Sequence, residues 1–337
     1  MSSMNVVRNR CWVRGELVEE DFDLARVSDL LALDDHLVWV DLCDPDHDLL
    51  RQIADELSFA PQAVEDAIAA AERPKAIRSP GHTLFVTYAT RIDERAVAAA
   101  SRSRLRLTKV SAFLLHRGLV TVRSDDDFDM SEVVQRWDDS PDLLVQGPSA
   151  LLYGLLDTVV DGHFATVQQL DDAVEELEDG LFDGHPSSRS TQERSFRVRK
   201  ELVQLRRVVL PMREVVGMVL RHRAEREVDD GADLDGWYTD LYDHVLRVAE
   251  WTESLRDMIS TIFETTLSLA DARLNTVMKK LTGWAAIIAV PTAITGWFGQ
   301  NVPYFGFGRQ YGVWLAGGSI AVVSLGLYVV FKRREWL

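Results

Sequence analysis

Lys279–Asn301 reads KKLTGWAAIIAVPTAITGWFGQN. Two lysines precede an apolar run from Leu281 to Phe298, which is about 18 residues, near the shortest length that crosses a hydrocarbon core as a helix. The run stops at Gly299-Gln300-Asn301. A second apolar run, Gly312 to Phe331, follows a short connection and ends in Lys332, Arg333 and Arg334. Gly283, Pro291 and Gly296 inside the first run are tolerated in lipid far better than in water. Everything before Lys279 has the composition of a soluble protein. The basic residues that flank both runs place the body and the C-terminus on the same, cytoplasmic side.

Working back from the membrane, no proline occurs between Trp237 and Pro291, and Gly283 is the one glycine in that interval. The spacing predicts one continuous helix, which at 1.5 Å per residue would be roughly 90 Å long. Such a helix needs packing along its length. Leu241, Val245, Val248, Leu255, Ile259, Ile262 and Leu269, with Thr252 and Thr266 in the gaps, form a heptad seam of the coiled-coil type. A second ladder, Asp243, Glu250, Asp257, Glu264 and Asp271, recurs every seven residues, and Met278 continues it. Repeated around an axis, the ladder would make stacked carboxylate rings. The plain alternative is a solvated acidic face.

Upstream, Ser149 to Phe182 is apolar-periodic and ends acidic (Asp171 to Asp179), and Ser190 to Arg226 is rich in arginine. An antiparallel hairpin would set the acidic end beside the basic start. Breaks are expected at Asp183–Ser188 and Glu227–Gly236. In the first part of the chain, Val38–Leu42, Thr83–Thr90, Leu105–Leu115 and Leu119–Arg123 read as strands. Gly118 suits a hairpin turn between the last two. Asp46–Leu57 and Pro61–Ala71 read as helices, and Ile92–Arg104 reads as an ambiguous, mobile loop.

The 337 residues carry a formal charge of −16, which argues against nucleic acid as a partner, since phosphate contacts need clustered lysine and arginine. Cys11 and Cys43 are the only cysteines, too few for a disulfide framework. The N-terminus has no apolar core and does not read as a signal peptide. No P-loop, glycine-rich phosphate fingerprint, HExxH or Cys/His cluster points to an enzyme or an organic cofactor.

The chain resembles the CorA family of divalent-cation channels and transporters. That family's signature is Gly-Met-Asn at the outer end of the first of two C-terminal membrane helices, and Gly299-Gln300-Asn301 stands there. Ser268–Thr282 is very similar to the family's stretch entering the membrane. Tyr242-Asp243-His244, Trp39–Leu42, Glu65-Asp66, Arg73-Pro74-Lys75 and the basic tail from Phe331 also match in order. The resemblance implies an α+β cytoplasmic domain, a small sheet with flanking helices, then a very long helix and two transmembrane helices, assembled as a pentameric funnel-shaped channel. On this reading the chain divides into an N-terminal cytoplasmic α/β domain (1–145), a helical hairpin (146–236), a stalk helix (237–280), a first membrane helix (281–298), an outer loop (299–311), a second membrane helix (312–331) and a cytoplasmic tail (332–337). It implies a homopentamer in the inner membrane with both termini cytoplasmic.

Residue by residue, the resemblance implies a filter at Gly299, Gln300 and Asn301, pore-facing positions at Asn275, Met278, Leu281 and Thr292, and a regulatory divalent ion between Asp66 and Asp240 of neighbouring copies. Glu264 matches an acidic residue facing the funnel. Mg2+ is the expected transported and regulatory ion, with Co2+, Ni2+ and Zn2+ as further candidates. Gln300 departs from the signature methionine, and Val302–Tyr311 holds Arg309 as its one charge. A zinc transporter of the ZntB kind is therefore the alternative, and a membrane-anchored sensor without transport is the rival from a different class.

Overall fold

The computed structural model describes residues 6–70, 72–93, 103–182, 189–224, 232–300 and 303–337. It contains two compact units, divided after Ile262.

The first unit is built on one seven-stranded sheet: β1 (Val6–Val13), β2 (Glu16–Glu20), β3 (His36–Cys43), β4 (Lys75–Ser79), β5 (His82–Ile92), β6 (Leu105–Leu114) and β7 (Gly118–Arg123). The strand order is β2-β1-β3-β7-β6-β5-β4, and β3 with β7 is the parallel pair. The four strands expected from sequence are its centre, and β1, β2 and β4 extend it to both edges. The expected hairpin turn is present, with Leu115 N donating to Gly118 O at 2.8 Å.

Side chains alternate across the sheet. Val38, Val40 and Leu42 pack with Leu50 and Ile53 of α2 (His47–Glu56) and Ala63 of α3 (Pro61–Ile68). Leu37 and Trp39 pack on the opposite side with Trp137 and Leu151. The sheet is therefore covered on both faces, and this explains why β3, β5 and β7 read as near-continuous apolar runs. Proline at the first position of α3 costs no hydrogen bond, as expected. The helix ends at Ile68, short of the Ala71 anticipated. A short α1 (Val27–Ala32) precedes β3, and α4 (Met130–Asp138) and α5 (Pro141–Leu144) follow β7.

Three long helices complete the chain's soluble-type packing: α6 (Pro148–Phe182), α7 (Arg189–Ala224) and α8 (Ala232–Phe298). The expected charge pairing across the α6–α7 hairpin is present at Glu176 and Arg194. Other arginines of α7 go elsewhere: Arg206 pairs with Glu253 of α8 at 2.5 Å. Residues 94–102, 183–188 and 225–231, which hold most of the expected loop and two expected breaks, lie outside the described residues; α8 nevertheless begins at Ala232, inside the break expected at Glu227–Gly236 and five residues before the expected start at Trp237.

Up to Ile262 the heptad seam is buried within the same chain. Val248, Leu255, Ile259 and Ile262 share one core with Leu170, Val174 and Leu177 of α6 and Val198, Leu202 and Leu205 of α7. The seam therefore records a three-helix packing inside one chain, since a seven-residue apolar repeat specifies a packed face without saying whose helix covers it.

One buried histidine ties this bundle to the sheet. His163 of α6 lies 2.7 Å from the Tyr88 carbonyl, which can only accept, so Nε2 carries the proton and donates. Burial pushes its pKa down to about 4, against the hydrogen bond to Tyr88. Its unfolded value is near 6.5. The unfolded chain thus binds more protons between these values, and the stability gained is full above about pH 6.5 and lost as pH falls toward 4. At pH 5 the loss is on the order of 2 kcal/mol. Thermal melts of the full protein at pH 7 and pH 5 check this. His163→Gln, which keeps a donor without titrating, is expected to show a flatter dependence, and equal slopes would exclude the assignment.

Candidate ion pathway and cation-sensing residues

The acidic ladder occupies the side of α8 away from the buried seam. At 100° per residue, Asp243, Glu250 and Asp257 fall about 180° around the helix from Val248, Leu255 and Ile259. All five ladder carboxylates are exposed in the single chain. Asp257 is partly neutralised by Arg256 at 2.6 Å. Among the described residues, Asp243, Glu250, Glu264 and Asp271 have no ion-pair partner.

In the second unit, Asn275, Met278 and Leu281 are exposed, as is every residue from 271 to 282. Met278 and Leu281 are 58 % and 63 % exposed, a large apolar area for a single chain to leave uncovered. Asn275, Met278, Leu281 and Thr292 fall within an arc of about 120° on an ideal helix. They therefore share one face. Pro291 removes the amide that would bond the Ile287 carbonyl. The threonines after it bond backward: Thr295 Oγ1 lies 2.8 Å from Pro291 O, and Thr292 Oγ1 donates to Ile288 O at 3.4 Å. Those bonds occupy the hydroxyls.

The second apolar run is α9 (Gln310–Arg333), with Lys332 and Arg333 in its last turn. It and the C-terminal part of α8 are each long and apolar enough to cross a membrane. Gly283 is buried where they meet. A Cβ there would stand 3.3 Å from Leu337 and 3.7 Å from Phe331. Close approach at a glycine is how helices pack in lipid, where there is no hydrophobic drive between them.

At the end of α8, Gly299 N bonds Thr295 O at 2.8 Å and Gln300 is exposed. Asn301 lies outside the described residues. The connection from Tyr304 is held by aromatic contacts: Tyr304 meets the ring edges of Phe298 and Phe307, with centroids 5.1 and 5.3 Å apart.

The two carboxylates implied as a sensor are held separately. Asp66, on α3, bonds the Lys75 ammonium at 2.9 Å, and Lys75 also bonds Glu72 at 2.7 Å. Burial opposes the Lys75 charge, but Glu72 and Asp66 outweigh it and hold its pKa up. Lys109 donates to the Asp66 and Ala69 carbonyls, both at 2.6 Å, and so closes the end of α3. Asp240, on α8, is 67 % exposed at its side chain and faces His244 Nε2 at 3.7 Å. Among the described residues, no three His, Cys, Asp or Glu side chains cluster to hold a metal within one chain. The role of Lys75 was not read from sequence. Only its neighbours Arg73 and Pro74 and the match to the family pattern drew attention to it.

A family model described as "CorA-like Mg2+ transporter protein" matches residues 34–333. The cobalt/magnesium transport protein CorA of Methanocaldococcus jannaschii is 24 % identical over 326 residues, covering 96 % of this chain and 97 % of that protein. The cobalt/magnesium transport protein CorA of Thermotoga maritima is 30 % identical over 191 residues, covering 56 % of this chain and 52 % of that protein. Among solved structures, the complete CorA magnesium transporter of M. jannaschii superimposes with a TM-score of 0.75 at 21 % identity, each chain covered completely.

Proposed function

The chain belongs to the CorA-like Mg2+ transporter family, and from that premise we propose that it is a divalent-cation channel of the inner membrane, carrying chiefly Mg2+ and gated by Mg2+ on the cytoplasmic side. The carrying observation is α8: an exposed acidic face leads into an exposed apolar face and ends at Gly299-Gln300. Five copies would close those faces around an axis and bury the area that one chain leaves open. Both termini then lie in the cytoplasm.

Mg2+ releases its waters reluctantly. A ring of Asn301 amide oxygens binds the hydrated ion through those waters without trapping it. Met278 and Leu281 then form an apolar constriction that closes by excluding water. The ladder raises the local cation concentration. Its carboxylates are one heptad, roughly 10 Å, apart, about a Debye length at 0.1 M salt. Replacing Asp257, Glu264 and Asp271 together by their amides is expected to lower conductance mainly at low ionic strength. Unchanged conductance at every salt concentration would make the ladder a solvated face.

The decisive experiment is ion flux into liposomes that contain this protein alone, with Mg2+, Co2+, Ni2+ and Zn2+ in turn, with and without a proton gradient. Mg2+ flux that needs no proton gradient is expected. Proton-coupled flux confined to Zn2+ would favour transport of the ZntB kind, and absence of flux would favour a sensor.

For gating, the proposed site joins Asp66 of one copy to Asp240 of the next. Empty, the carboxylates repel. Occupied, they clamp neighbouring copies and close the pore, a two-state assembly biased by its ligand. Lys75 already neutralises part of Asp66, so Mg2+ must compete with an ammonium, which keeps the site weak. Asp66→Asn with Asp240→Asn is expected to abolish both inhibition by internal Mg2+ and Mg2+ protection from proteolysis. Lys75→Gln is expected to move the inhibitory midpoint to lower Mg2+ by about threefold or more. A double variant that still closes at the wild-type midpoint would place the sensor elsewhere, with Asp171–Asp179 the next segment to test.

A further inference from the structure

A cleft of about 1070 Å3 opens at one end of the sheet in the first unit, where β1, β4 and β6 end, β3 and β5 begin, and the last turn of α7 arrives. Its volume matches sites for drug-sized ligands. Five arginines and four histidines line it against two aspartates, in a chain whose total charge is −16. Half of the chain's eight histidines are thus gathered in one place.

The pairings show which positive charges remain. Arg14 is held by Asp35 at 2.8 Å, Arg117 by Asp34 at 2.5 Å, and Arg223 by Asp235 at 2.5 Å. Among the described residues, Arg78 and Arg221 have no carboxylate partner. Arg78 points an Nη1 at His222 Nδ1, 3.4 Å away. Both arginines are exposed. The bland role for Arg221 is to offset the carbonyl end of α7. That role does not account for Arg78, which lies on a different element.

His82 lines the cleft, is 5 % exposed, and its Nε2 has no hydrogen-bond partner among the described residues. That atom is sealed from the cleft, and the ring lies on the Leu84 side of β5, opposite Phe85, so His82 stiffens the wall without offering Nε2 to a ligand. The ring itself is fixed by packing on Phe59 and Phe113, with centroids 5.1 and 5.8 Å away. Burial lowers its pKa, so the ring is neutral. The wall also has an apolar part, in which Val145 is 62 % exposed beside Met218. Gly81 and Gly147, at φ +83° and +81°, leave open space where a Cβ would stand. They keep the lining at bare backbone.

We propose that this cleft binds a nucleoside polyphosphate, with the phosphates on Arg78 and Arg221 and the base against Val145 and Met218. Guanidinium groups bond phosphate in a bidentate manner, which suits two arginines that lack carboxylates. The apolar wall distinguishes the ligand from a bare polyphosphate. The site is independent of the ion pathway and does not rest on the transport reading.

The test is equilibrium dialysis of the full-length protein in detergent against labelled ATP, with divalent ions removed by chelator so that no Mg2+ site reports. Saturable binding at one ATP per chain is expected, with tripolyphosphate weaker by about fivefold or more and adenosine not bound. Arg78→Gln with Arg221→Gln is expected to weaken ATP by at least about tenfold while the assembled size is unchanged. No saturable ATP binding to the wild type, or binding to a correctly assembled double variant equal to wild type, would overturn the site. Tripolyphosphate binding as tightly as ATP would overturn the nucleoside part.

Discussion

Asn301→Ala is expected to reduce cation flux to the background of protein-free liposomes, a loss of at least about a hundredfold, while the assembly stays intact. The reason is the position of the side chain. It follows Gly299-Gln300 at the end of the first membrane-length segment, where the chain turns. The following connection, Val302–Tyr311, has Arg309 as its one charge, and that guanidinium lies over the Tyr311 ring at 5.9 Å. A neutral amide offers its oxygen to a hydrated ion without the depth of a carboxylate site, so conduction survives binding. Alanine removes the oxygen. Gln300→Met restores the family signature and is expected to keep flux. Flux and crosslinked assembly size, measured on the same preparation, check both. Wild-type flux through a well-assembled Asn301→Ala protein would remove Asn301 from the pathway.

Arg123→Met is expected to be the most destabilising single substitution in the first unit. Arg123 and Asp41 are both completely buried at their side chains. The parallel register of β3 and β7 sets Asp41 beside Thr121, two residues before Arg123. Arg123 Nε and Nη2 donate to the Asp41 carboxylate, the shortest at 2.7 Å, and Nη1 donates to Phe128 O at 2.8 Å. Thr121 Oγ1 adds a bond to Asp41 Oδ1 at 2.7 Å. Burial opposes the arginine charge, but the bonds and field of Asp41 more than offset it and raise its pKa. Methionine would leave the Asp41 side chain in the sheet core with the Thr121 hydroxyl alone. Breaking one side of a buried pair costs about 3–5 kcal/mol. For a unit of this size that lowers the apparent Tm by roughly 10 °C. Asp41→Leu with Arg123→Met, which removes both charges, is expected to recover most of the loss. Tryptophan fluorescence melts of the full protein check both variants. A shift under about 3 °C for the single variant would mean that water or a nearby group solvates Asp41.

Much of this architecture is set by local pattern. Two apolar runs, their basic flanks and an uninterrupted helix follow from composition and from the absence of proline, because a helix satisfies its own backbone within one segment. The seven-residue repeats of carboxylates and of apolar residues likewise follow from helix geometry. The four central strands were legible because both faces are covered, so runs of apolar and β-branched residues recur along them. The outer strands were not. β1 carries the buried polar residue Asn9, which is satisfied by the Phe22 backbone at 2.9 and 2.8 Å, and β2 is almost wholly exposed. Nothing in their own residues marks them as strands until a partner supplies the hydrogen bonds. Tertiary structure also decided every pairing between distant residues. It joined Asp41 to Arg123 across 82 positions, and the apolar seam of α8 to α6 and α7 of its own chain. It gave Asp66 to Lys75, and it gathered four histidines and five arginines around one cleft. A repeat states that a face must be covered, and a charge that it must be compensated. Which group does so depends on which elements the sheet and the bundle bring together.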